Sequence, residues 1–222
     1  PFQVMADDSG RSRTGDITIG IAANPFSTDT DDAVQSAMEQ ACKAAEAAGF
    51  KTKSITPPDA DDCARIWGEL LFTDMHYLMR DLILDHCSPE MSTLMQAYSD
   101  RYTLLDVDGL LRTMQQRIAL QRAWSLMFDE VDLVMMPTSL IAPYENDLDF
   151  KDPSKIPMIL DAQAPLFLVN LLGLPSVSLP THVHDGVPQG VQLLAPLHDD
   201  WFVLDVAEKL EAALGTIWQE LP

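Results

Sequence analysis

Residues 164–195 read APLFLVNLLGLPSVSLPTHVHDGVPQGVQLLA, and this stretch says most about how the chain folds. An apolar run of helical length ends at Leu172, where Gly173 can supply a left-handed cap and Pro175 forbids continuation. Ser176 to Pro180 then alternates small polar with apolar residues, as a strand does. His184-Asp185-Gly186-Val187-Pro188 is turn chemistry, and Gly190 to Leu194 reads as a second strand. The spacing therefore predicts a helix, a reversal, and two strands that meet at one turn.

Upstream, Val131 to Met136 has the unbroken apolar character of a strand buried on both faces. Ile17 to Ala22 and Phe50 to Ile55 read as strands around a helix. Asp31 and Asp32 cap that helix, its apolar face carries Ala33, Val34, Ala37, Met38 and Ala41, and Gly49 ends it. Residues 17–55 thus form an expected βαβ unit with parallel strands. After Pro57-Pro58, one long helix is expected over Asp62 to Leu84, a second from the Ser88-Pro89 start to Tyr98 or beyond, and a third from Val107 to Phe128. Residues 139–158, with Pro143, Pro153 and Pro157, are expected to be an irregular loop. A last helix is expected over Asp200 to Leu214, and residues 1–16 read as a flexible lead-in.

The 222 residues carry 34 acidic against 14 basic side chains, a formal charge of −20, so the field of the whole chain repels nucleic acid and anionic headgroups. Three widely spaced cysteines, Cys42, Cys63 and Cys87, form no Cys-x-x-Cys pair and fit a reducing compartment. No apolar stretch approaches the roughly 20 residues of a membrane span. A cytoplasmic location is expected, with neither nucleic acid nor membrane as partner.

The order Asn170, Gly173-Leu174-Pro175, Ser176 to Pro180, Gly186, Pro188, Gly190-Val191-Gln192 resembles the C-terminal part of amidase signature enzymes. Phe128-Asp129 and Asp132 to Thr138 are similar to that family's aspartate, buried strand and Pro-Thr loop. The likeness is close over residues 124–214 and looser over Ile17 to Ile55. It implies an α/β fold, a mixed β-sheet flanked by helices, whose middle helices (residues 59–129) wall a substrate pocket. It also implies hydrolysis of carboxamides: a serine attacks the carbonyl, a lysine and a bridging serine shuttle protons, and water releases the acid from the acyl-enzyme. The family's serine lies in a Gly-Gly-Ser-Ser run, which this chain lacks, and Ser9-Gly10 and Ser12 do not replace it. With Pro1 in place of an initiator methionine, the expectation is that residues 1–222 are the C-terminal portion of a single amidase-like domain, incomplete here, with the catalytic groups outside them. The alternative is a non-catalytic binding or structural module built on the same fold.

No catalytic residue is assigned within the chain. The pocket candidates are Pro137, Thr138 and Ser139, at the carboxyl end of a buried strand where open α/β sheets face their ligands. Asn170 and Gly173 join them, although an amide in so apolar a helix also fits a purely local role, tying the helix end to neighbouring backbone. His182, His184 and Asp185 have metal-ligand chemistry but no third ligand at a standard spacing, and Asp29, Asp31 and Asp32 lack the glycine and glutamate of a calcium loop. No metal and no cofactor is expected. His76 and His86 read as helix-surface residues, and Ser176 and Ser178 as strand residues rather than nucleophiles. Met75, Met79, Met91, Met95, Met114 and Met127 suit ordinary packing between helices, with a greasy pocket as the other option. The expected partners are a small-molecule amide and, in a homodimer, a second copy of the chain.

Overall fold

A computed structural model describes residues 16–217, so the lead-in expected over residues 1–16 lies, but for Asp16, outside the described residues, as do Ser9, Gly10 and Ser12. Strand β1 (Thr18–Ile21), helix α1 (Asp32–Ala47) and strand β2 (Lys51–Ser54) form the βαβ unit, with Thr18 paired to Lys51 and Ile21 to Ser54 in parallel register. Strand β3 (Leu133–Pro137) lies on the other side of β1, again parallel. The chain then returns as β4 (Ser176–His184) and β5 (Val187–Leu194), with β5 antiparallel to both β3 and β4. The sheet is mixed and five-stranded, in the order β2-β1-β3-β5-β4.

All five residues of β3 are buried, and the pleat sends them alternately to two layers. Leu133 and Met135 pack with Ala37, Ala41 and Ala45 of α1 and with Val203, Val206 and Leu210 of α9 (Asp200–Leu214). Val134 and Met136 pack on the opposite side with Cys63 and Ile66 of α2 (Ala60–Asp74), Leu120 and Trp124 of α5 (Val107–Met127), and Leu168 and Leu172 of α8 (Ala164–Leu172). Small alanines on α1 let that helix lie close to the sheet. The buried indole of Trp124 donates its Nε1–H to Pro58 O at 3.0 Å, so its one polar atom is satisfied.

Several expectations hold closely. Gly173 sits at φ 72° and caps α8, and Ser88 Oγ accepts the Met91 amide at the start of α4 (Pro89–Ser99). Others need correction. Helix α2 stops at Asp74, the chain widens into one π-helical turn over Met75–Met79, and α3 (Arg80–His86) resumes, so the long helix is two helices joined by a distorted turn. Asp31 does take the N-cap position of α1, but its carboxylate accepts the Ala142 amide at 3.0 Å and no amide of its own helix, which pins the loop after β3 instead. The segment after Ser139 is not wholly irregular: α6 (Leu148–Lys151), a short 3-10 turn (Pro153–Lys155) and α7 (Ile156–Ala162) occupy it, because Pro153 and Pro157 fall in first turns that need no amide donor. The hairpin turn is only Asp185-Gly186, both at positive φ, so the strands run on to His184 and from Val187, with a bulge between Pro180 and His182. Among the described residues no helix is long and apolar enough to cross a membrane.

Gly68 on α2 is held by close approach. A Cβ there would lie 2.0 Å from Cε1 of Tyr102, whose ring stacks on Phe72 with centroids 5.1 Å apart. Gly68→Ala is expected to destabilise the chain by about 1–3 kcal/mol through overpacking, read as a lower urea midpoint with unchanged slope.

Candidate functional site

Helices α2, α5 and α8 enclose a cleft of about 800 Å³ between them. Trp67, Leu70 and Leu71 of α2 form one wall, and Val107, Leu110 and Met114 of α5 the other. Tyr77 and Leu78 of the widened turn close one flank, 67% and 76% exposed. Asn170 and Leu171, at the end of α8, form the floor near Arg117. The wall is held by contacts between elements. Leu105 N donates to Thr73 Oγ1 at 3.0 Å, joining the start of α5 to the end of α2, and Trp67 stacks on Phe167 of α8 with centroids 4.1 Å apart.

The carboxyl end of α8 is clamped from α5. Arg117 Nε donates to Leu171 O at 2.7 Å and Gln121 Nε2 to Leu172 O at 3.0 Å, one helical turn apart. These two side chains satisfy carbonyls that a helix end leaves open, and the guanidinium complements the negative end of the helix. The local role expected of Asn170 is therefore performed by other residues. The Asn170 side chain is exposed, faces the cleft, and makes no hydrogen bond among the described residues.

The other candidates sit elsewhere. Pro137 ends β3, and its carbonyl accepts Gln192 Nε2 at 3.1 Å from a wholly buried glutamine of β5. Thr138 Oγ1 donates to Gly190 O at 3.2 Å, and Ser139 Oγ donates to Ile141 O at 2.9 Å. These contacts fasten the strand end to its neighbour and shape the following loop. Gly173 and Asn170 share the end of α8, but the cleft wall that contains Asn170 contains none of the three residues 137–139. His182 and His184 stand with ring centroids 6.1 Å apart on β4, and among the described residues no group of three or more His, Cys, Asp or Glu is placed to hold a metal. Of the methionines, Met114 lines the large cleft, Met75 and Met95 line a second cleft of about 110 Å³ that also includes half-buried His76, and Met91 and Met127 pack against the core. Arg117 and Gln121 escaped the sequence reading, because nothing in their own segment shows what they reach across to.

Burial raises the pKa of three groups in the helical region. Burial, then the Asp59 and Asp62 carboxylates, push the Cys63 thiol up to about 12. Burial pushes Tyr102 up to about 12 as well, with Arg101 opposing and Asp161 adding to the shift. Tyr98 is raised by burial and by donating its hydroxyl to Asp149 at 3.0 Å.

A family model described as Amidase matches residues 3–204, so the chain belongs to the amidase signature family. An indoleacetamide hydrolase of Bradyrhizobium japonicum is 26% identical over the whole of this chain and 48% of its own length. Among solved structures, a bacterial aryl acylamidase superposes with a TM-score of 0.74 at 19% identity over 97% of this chain and 46% of its own. A fatty acid amide hydrolase gives 0.73 at 16% identity over 90% and 40%. These superpositions establish the amidase signature fold for the chain, which spans about half the length of the relatives it matches end to end.

The clamp is expected to matter for stability: Gln121→Ala should lower it by about 1 kcal/mol, and Arg117→Ala by about 1–3 kcal/mol because a charged donor is lost from a helix end, read from urea midpoints. Stability should also fall on the alkaline side. The unfolded chain releases the Cys63 proton near 9 while the folded chain keeps it to about 12, so its contribution is complete below pH 9 and is lost as pH rises to about 12. Cys63→Ala should flatten that part of a stability profile measured from pH 8 to 12.

Proposed function

We propose that this chain is the wall-forming C-terminal portion of a single amidase-like domain, in a protein that hydrolyses small apolar carboxamides. The observation that carries the reading is the large, mainly apolar cleft between α2 and α5, in a chain whose family match runs over residues 3–204. Clefts of roughly this size, with few polar groups, are the usual setting for small-molecule recognition. The indoleacetamide hydrolase and aryl acylamidase among the relatives support an aryl or alkyl amide as substrate.

In this reading residues 17–55 and 131–214 supply the sheet and its covering helices, and residues 59–129 the pocket wall. The attacking serine lies outside residues 1–222, and the greater length of the relatives supports that assignment. Attack on the amide carbonyl forms an acyl-enzyme and releases the amine with the serine's proton; water then adds and the carboxylic acid leaves. Asn170 borders the substrate cleft, Gly173 ends the helix that carries it, and Pro137, Thr138 and Ser139 fix the end of β3 away from that cleft. A cytoplasmic location and a homodimer belong to the same proposal. Leu111, Ile118 and Leu126, each more than half exposed on α5, are what support a second copy.

A serine-reactive fluorophosphonate provides the test. The complete polypeptide is expected to gain one adduct by intact mass, on a peptide outside residues 1–222, while residues 1–222 alone gain none. A complete polypeptide that stays unlabelled would favour the non-catalytic module.

A further inference from the structure

The large cleft is apolar along its length and charged at its two ends in opposite senses. Asp74 and Asp106 lie where α2 ends and α5 begins, an end fixed by the Leu105 to Thr73 hydrogen bond. Arg117 and Asn170 lie at the other, where α5 clamps α8. Val107 and Arg117 are ten residues apart on one helix, about 15 Å of rise. The two ends therefore have separate fields, and the space between is lined by indole, phenol and aliphatic side chains.

Arg117 spends only its Nε–H on Leu171 O. A guanidinium has five N–H donors in a fixed fork, which leaves four, and no ion pair joins them to a carboxylate among the described residues. One residue from the clamped carbonyl, the Asn170 carboxamide is also uncommitted and opens on the same cleft. A positive fork beside an amide donor, at the end of a greasy trough, complements a carboxylate oxygen pair.

We propose that the cleft binds an elongated apolar monocarboxylate, with its head on Arg117 and Asn170 and its aryl or alkyl body lying along α5 toward Tyr77. The carboxylates of Asp74 and Asp106 set the direction, since they repel a second acidic group at the far end. The inference rests on the amide-hydrolase reading only in that such an acid is the product class of that reaction; the binding itself needs no serine.

Calorimetric titration of the complete polypeptide with 6-phenylhexanoate, against 6-phenylhexylamine as a control, tests it. The acid is expected to bind at least about tenfold more tightly than the amine, the preference of one charge-assisted hydrogen-bonded head. Arg117→Gln should reduce acid binding by about tenfold or more and leave the amine unchanged. Because Arg117 also holds α8, Asn170→Asp is the second variant: it alters an exposed side chain, keeps the size, and should reverse the preference toward the amine. Equal affinity for the two probes, no binding of either, or acid binding unaffected by Asn170→Asp would overturn the proposal. Each of these can occur whether or not the complete polypeptide takes up a fluorophosphonate, so the two readings fail separately.

Discussion

Burial of β3 on both faces is the constraint on which the remaining structure depends. A strand with five consecutive buried residues cannot lie at an edge, so it needs a hydrogen-bonded neighbour on each side and a helical layer above and below. The βαβ unit supplies one neighbour and the returning hairpin the other, which makes the sheet mixed. Alternation along β3 then divides the core: Leu133 and Met135 require α1 and α9, whereas Val134 and Met136 require α2, α5 and α8.

The division also separates support from recognition. The layer of α1 and α9 packs on the sheet, α1 through small alanines and α9 through Val203, Val206 and Leu210. The opposite layer is built from long helices with bulky side chains, and α5 touches the core mainly near its end, at Leu120 and Trp124. Its first half stands away from the sheet, braced by Thr73 at one point and by the α8 terminus at another, and the cleft is the space beneath that brace. The widened turn after Asp74 contributes by swinging Tyr77 and Leu78 to the cleft flank.

What the sequence disclosed follows the range of the interactions involved. The helix stop at Gly173, the Ser88 cap, the buried run at 131–136 and the parallel strands at 17–55 are set by neighbours in the chain, and they were legible together with the amidase signature fold. Turn chemistry at residues 184–188 marks a longer turn than the fold has, because only Asp185 and Gly186 need positive φ while His184 and Val187 still pair. Asp31 looked like an ordinary helix cap, and only the folded chain shows the Ala142 amide it serves. For the site, Asn170 stands out in the sequence as an unusual amide, but its surroundings do not. Arg117 and Gln121 reach the end of its helix across 54 and 51 positions of the chain, and no local pattern marks such a pair. Pro137 to Ser139 stand at a strand end, where α/β sheets face their ligands, yet the Thr138 and Ser139 hydroxyls bond to backbone oxygens and the Pro137 carbonyl to the Gln192 side chain.

The central claim is that these helices wall the substrate cleft of an amide hydrolase. Ammonia release from indole-3-acetamide by the complete polypeptide, compared with its Trp67→Ala variant, addresses it most directly, since Trp67 lines the cleft. The account predicts one ammonia for each carboxylic acid formed, and a KM raised by about tenfold or more in the variant, because a large apolar contact surface is removed. A folded complete polypeptide that releases no ammonia, or a variant with unchanged kinetics, would contradict it.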